Sequence, residues 1–174
     1  MSQFNSFTTQ SKAETTTFYV QEANRRYRRA SDEELVSYAK DVVGSQIAQG
    51  TVLNTPAAVR DYLTLWLRDR PYEVFVGLFL DNQNRLLSAD ELFRGTLSQT
   101  AVYPREVARR GIELNAGAII FSHNHPSGLA EPSHADRLLT DALKTVLCHL
   151  EIRVLDHIIV AGNKTMSFAE HGLL

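Results

Sequence analysis

Cysteine is almost missing from this chain. Its 174 residues include one, Cys148, so an internal disulfide is excluded, and so are zinc sites of the Cys₂His₂ or Cys₄ type. Any zinc must then be held by His, Asp or Glu. Cys148 lies in an apolar helical run and reads as a small core residue. No apolar stretch approaches the roughly 20 residues of a membrane-crossing helix. The first residues, MSQFNSFTTQSKAETTT, contain no apolar run of the kind a secretory signal needs. The expected compartment is the cytoplasm, with no membrane partner. Neither sign of charge dominates, since 18 Lys and Arg face 20 Asp and Glu for a net charge of −2. An overall basic excess that would point to nucleic acid is therefore missing.

The remaining composition is that of a folded protein. Hydrophobic residues make up 44% and charged residues 22%, which excludes disorder of the whole chain. The length is near that of one domain and suffices for a real core. Residues 1–17 are rich in Ser, Thr and Gln and read as a mobile tail. Arg25, Arg26, Arg28 and Arg29 surround Tyr27. They read as a solvated basic turn, the alternative being a short arm that contacts phosphates. Ser31 with Glu34 forms a capping box that opens a helix. Its apolar positions run from Leu35 to Ile47, and Gly50 ends it. Thr55-Pro56 opens a second helix, which Asp69-Arg70-Pro71 stops.

The periodicity then changes. Glu73 to Leu80 is a near-continuous run of β-formers, Asp81 to Asn84 a turn, and Arg85 to Phe93 a returning strand. Gly95 to Val102 reads as a third strand. A helix opens at Pro104 and closes near Asn115. Gly117 to Phe121 reads as a strand buried on both faces. A helix follows from Ser133, then a strand over Ile152 to Val160 and a short one over Thr165 to Phe168. This order predicts an α/β fold with a mixed sheet and helices on its faces.

The chemistry concentrates at the end of the buried strand. His123 and His125 are two apart, so on a strand both imidazoles project from one face. Taken alone, they could equally be a surface His pair. Asp136 falls on the first turn of the next helix, facing back toward that strand end. Two His and one carboxylate make a three-ligand zinc site with a fourth position open to water. Ser133 has two readings, a helix cap with Asp136 or a hydroxyl that donates to a developing oxyanion. Asn124 points away from the His pair and orders the loop. Pro126-Ser127-Gly128 is turn chemistry. His157, on an apolar strand, reads as a satisfied core histidine.

The pattern His123-x-His125-x₇-Ser133-x₂-Asp136 resembles the metal motif of the JAMM metalloproteases. The wider text is closer still: GTL at 95–97, YPREV at 103–107, SHNHPSG at 122–128, EPSxxD at 131–136 and LDHIIVAG at 155–162 resemble the RadC-like JAB domain. The resemblance covers about residues 53–174. Residues 1–52, a tail and a helical extension, do not show the helix-hairpin-helix region of longer RadC proteins. The resemblance implies the JAB/MPN, cytidine-deaminase-like α/β fold and a Zn²⁺-dependent peptidase or isopeptidase, with a peptide or protein as substrate. It also implies that Glu73, at the start of an apolar strand, is the general acid/base. Without it, Glu73 reads as a solvated strand-start residue, and Glu91, Glu106 and Glu113 are weaker candidates.

Of three rival readings, one remains. A zinc nucleoside deaminase needs H-x-E with P-C-x-x-C, which one cysteine excludes. The tripeptide His123-Asn124-His125 matches the name of the HNH nucleases only by coincidence, since that name describes residues far apart in sequence. A DNA-repair-associated or other binding module with a structural zinc is the alternative to catalysis.

Overall fold

A computed structural model describes residues 7–12, 15–22, 25–46, 53, 55–95 and 102–174. The chain divides into two compact units, Met1–Ser45 and Gln46–Leu174. In the first, β1 (Phe7–Lys12), β2 (Thr15–Gln21) and β3 (Tyr27–Arg29) form an antiparallel sheet in that order. Helix α1 (Asp32–Gln46) follows. Among the described residues of the stretch 1–17, strands stand over 7–12 and 15–17, where a mobile tail was expected. That expectation weighed polarity alone. The stretch is polar because it is rich in threonine, whose branched Cβ favours strands. Arg25 takes a left-handed conformation at φ 65° in the turn before β3. Arg28 is bound by Glu34 at 2.6 Å and Glu22 at 3.3 Å. The capping box forms as read: the Ser31 N–H donates to Glu34 Oε2 at 3.0 Å, and the Glu34 N–H to Ser31 Oγ at 3.2 Å. Ile47, Gly50 and most of the strand expected over Gly95 to Val102 lie outside the described residues.

The second unit is an α/β layer structure with a five-stranded mixed sheet. Its elements are α2 (Pro56–Leu67), β4 (Val74–Leu80), β5 (Leu86–Arg94), α3 (Pro104–Glu113), β6 (Ala118–Asn124), α4 (His134–Cys148), β7 (Arg153–Ala161) and β8 (Lys164–Ser167). The sheet order is β5-β4-β6-β7-β8. Strands β6 and β7 run parallel, joined across the sheet by α4, and the other pairings are antiparallel.

Strand alternation decides which residues meet which helix. Val74, Val76, Leu78 and Leu80 of β4, with Ala118 and Ile120 of β6, pack on Val59, Leu63 and Leu67 of α2. Phe75 and Phe79, with Ile119 and Phe121, face the other way, onto Val107 of α3 and Leu143 and Leu147 of α4. Each fully buried leucine in these layers contributes about 1.5–3 kcal/mol relative to an exposed one. Helix α4 turns Asp136, Thr140, Leu143 and Leu147 inward. Cys148, one step of about 100° beyond Leu147, therefore points outward and is exposed, not a core residue as expected. A Cβ at Gly117 would lie 2.1 Å from Asn82 Oδ1 and 3.2 Å from its backbone nitrogen in the β4–β5 turn, so a larger residue there would displace the Asn82 side chain. Among the described residues, no helix is long and apolar enough to cross a membrane.

Candidate metal centre

Strand β6 extends past Phe121 and carries its alternation through His123. That side chain continues the Ile119 and Phe121 row, toward α4. The chain leaves the sheet at His125, whose backbone N–H still donates to Val160 O at 2.8 Å. Both imidazoles therefore face the N-terminus of α4. Their Nε2 atoms stand 2.9 Å apart. Asp136 Oδ1 lies 3.3 Å from His123 Nε2, and Asp136 Oδ2 lies 3.5 Å from His125 Nε2. One ligand atom from each residue falls within a 4.8 Å span, so the three can hold a metal ion.

The surrounding hydrogen bonds fit that use. His125 Nδ1 faces Leu129 O at 2.7 Å. A carbonyl only accepts, so Nδ1 carries a proton and a neutral His125 presents the bare Nε2. Gly128, at φ 78°, makes the turn that brings Leu129 back. Ser133 caps α4: its N–H and its hydroxyl each donate to Asp136 Oδ2 at 2.7 Å, and the Asp136 N–H donates to Ser133 Oγ at 3.1 Å. The capping-box reading of Ser133 is thus what the geometry displays. The hydroxyl proton is committed to Asp136 and orients that carboxylate.

Electrostatics agree. Burial alone would push the Asp136 carboxyl up. Hydrogen bonds from His123, His125 and Ser133 hold it well below the usual carboxylate range. The hydrogen bond to Asp136 raises His125 against its burial, helped by the Leu129 carbonyl and by the charge of Glu73. Two imidazole nitrogens and a carboxylate at these distances need a cation or a shared proton among them.

Glu73 precedes β4. Phe75 pairs with His123, so Glu73, two residues before Phe75, stands near the site, and its charge helps raise His125. Asn124 holds this segment. Its side-chain Oδ1 accepts from the Val74 N–H at 2.7 Å, and its Nδ2 donates to Tyr72 O at 3.0 Å and Arg70 O at 3.4 Å. Asn124 was expected to order its own loop. Instead it grips the backbone on both sides of Glu73. The other glutamates are engaged by arginines: Glu91 by Arg94 at 2.8 Å, Glu106 by Arg109 at 3.2 Å and Glu113 by Arg109.

The RadC-like JAB domain family matches residues 53–173. This chain belongs to that family. It is 54% identical over 147 residues to a UPF0758 protein of Methylibium petroleiphilum, covering 84% of this chain and 66% of the relative. It is 52% identical over 142 residues to one from Thiobacillus denitrificans, covering 82% and 63%. A Nitrosomonas eutropha UPF0758 protein is 48% identical over 142 residues, with the same coverage. The chain thus spans a little under two thirds of the length of these relatives.

In this RadC-like JAB domain, His157 is the core histidine that its place on an apolar strand predicts, and its partners are what the sequence did not show. It is completely buried, and burial pushes its pKa well below the usual imidazole value. It is indeed a satisfied core histidine, but what satisfies it is a metal-site residue: its Nε2 lies 2.8 Å from His123 Nδ1. The signal that could have found it is a polar residue inside the run LDHIIVAG. The spacing from His123 carries no information, because the β6–β7 register becomes known only with the sheet.

Proposed function

We propose that this RadC-like JAB domain is a zinc-dependent hydrolase of peptide or isopeptide bonds, with Glu73 as its general acid/base. The observation that carries the reading is the convergence of His123, His125 and Asp136, with the charge of Glu73 acting on His125. Bound zinc would supply Lewis acidity, lowering the pKa of water and polarising a carbonyl. The protein residues do the rest. His123 and His125 offer neutral Nε2 atoms from the strand, and Asp136 offers one negative charge from the helix start. Glu73 would take a proton from the attacking water and pass it to the leaving amine. The Ser133 hydroxyl, its one proton given to Asp136, keeps that carboxylate turned toward the two imidazoles, and donating to a developing oxyanion would require it to release Asp136.

The test is hydrolysis of a panel of peptide and isopeptide substrates by zinc-loaded protein, with Glu73→Gln beside it. A glutamine keeps the volume but cannot take a proton. Turnover should fall about 10²–10⁴-fold, with zinc content and melting temperature unchanged. Wild-type turnover by Glu73→Gln would place the base elsewhere. If the wild type hydrolyses nothing, a binding module with a structural zinc becomes the better reading.

A further inference from the structure

His157 on β7 takes no part in the proposed hydrolysis, yet it sits in a chain of hydrogen bonds whose direction can be worked out. The chain starts at Thr140, whose Oγ1 lies 2.6 Å from Asp136 O one helical turn back. A carbonyl can only accept, so the single hydroxyl proton of Thr140 is spent there. Thr140 Oγ1 also lies 2.6 Å from His157 Nδ1. With no proton left to give, the hydroxyl must accept, and His157 Nδ1 carries the hydrogen.

His157 has no exposed surface and is enclosed by rings. It stacks on Phe168 at 4.7 Å and meets Phe75 edge-on at 5.4 Å. Its Nε2 lies 2.8 Å from His123 Nδ1. A histidine that offers Nε2 to an ion keeps its one hydrogen on Nδ1, so His123 donates in this contact and His157 Nε2 accepts. That leaves His123 Nε2 bare, on the side where Asp136 and His125 converge.

We infer that His157 is a positioning residue of the metal centre: with Thr140 it forms a relay that fixes His123 with its Nε2 lone pair toward the ion, and ties that ligand on β6 to the backbone of the Asp136 ligand on α4. The relay runs from Asp136 O through Thr140, His157 and His123 and ends at the site the two ligands share. Ligand histidines commonly donate their second N–H to a carboxylate, a carbonyl or water. A neutral imidazole in that place holds the ring without adding a negative charge. Its own position is set by the β7 backbone, where Asp156 accepts from the His157 N–H at 2.7 Å and the Ser167 hydroxyl at 2.6 Å. The inference rests on the metal reading above but not on hydrolysis.

The test measures zinc affinity of the full chain by competition with a chelator, needing no substrate. Leucine at 157 fills space but leaves the His123 N–H without an acceptor. Glutamine can place an oxygen near the position of Nε2. His157→Leu should bind zinc about 10–100-fold more weakly, and His157→Gln should recover most of that loss. Long-range nitrogen–proton NMR of the metal-free wild type should find His123 and His157 both protonated on Nδ1. Should His157→Leu fail to fold, that spectrum and the glutamine variant decide. Wild-type zinc affinity in a folded His157→Leu protein would overturn the relay, as would a His123 that carries no proton on Nδ1. If His157→Leu loses zinc affinity while the wild type hydrolyses no substrate, the relay stands and the hydrolase reading falls. A wild type that takes up no zinc at all overturns both.

Discussion

Asn124 joins two strands through one amide. It lies between the two imidazole ligands in sequence, but its side chain emerges on the opposite face of β6 and binds the backbone around Glu73. The ligands and the proposed base are thereby locked in one frame, although Val74 and Asn124 are 50 positions apart in sequence. Asn124→Ala should leave the Val74 N–H and the Tyr72 carbonyl short of partners, costing about 1–3 kcal/mol. Hydrolysis should fall while zinc content holds, because no metal ligand is touched. Parallel measurement of zinc stoichiometry, thermal melting and turnover checks this, and loss of zinc in step with activity would contradict it. Ser133 behaves differently. Ser133→Ala removes the cap and frees Asp136 Oδ2 from one donor. The expected outcome is about 1 kcal/mol of stability lost together with weaker zinc retention, seen in a chelator titration.

At the scale of elements, helix starts were the most legible features. Ser31 with Glu34, and Ser133 with Asp136, both form the capping boxes that their spacing announces. A cap is a local interaction over four residues, and nothing distant competes with it. The His123–His125 pair was legible for the same reason, since alternation on one strand needs no partner. The threonine-rich strands of the first unit were not, because their polarity resembles that of an unstructured tail and their pairing is a choice between segments. The first cap also has a measurable signature. Arg28 hydrogen-bonds Glu34, the Ser31 backbone adds to it, and the carboxyl is pulled down from its ordinary 4.5 to about 2. A folded value below the unfolded one means that the interaction stabilises above about pH 4.5 and is lost as pH falls toward 2. An NMR titration of the side-chain carboxyl should find that low midpoint, and Arg28→Ala should return it toward the ordinary range.

For the whole molecule, the mixed sheet and its flanking helices followed from the succession of apolar runs, as did the place of the site at the end of the central strand β6. What could not be read was depth, meaning which side chains stand behind the ligands. His157 reaches His123 only because β7 lies parallel to β6 in a particular register, and Cys148 faces outward because of its angular position on α4. Metal should also matter to the stability of the second unit, because the ligands belong to a strand and to the helix that crosses over it. Zinc at about 1,000 times its dissociation constant would add about 4 kcal/mol. Melting of the zinc-loaded protein should drop on adding a chelator, whereas a double variant, His123→Ala with His125→Ala, should melt at one temperature with or without it. Equal melting of the wild type in both conditions would contradict a bound metal.

The three ligands all lie within the single passage from His123 to Asp136, while Glu73 arrives from a segment far upstream. Short loops close faster than long ones, and contacts local in sequence form early in folding. If the proposed function holds, the three candidate ligands would need only β6, the loop after it, the first turn of α4 and the β7 strand behind His123, whereas Glu73 would join when β4 docks and Asn124 grips its backbone. Under the proposed function, metal capture and chemical competence would be successive steps, the second waiting for the long-range pairing that brings in Glu73.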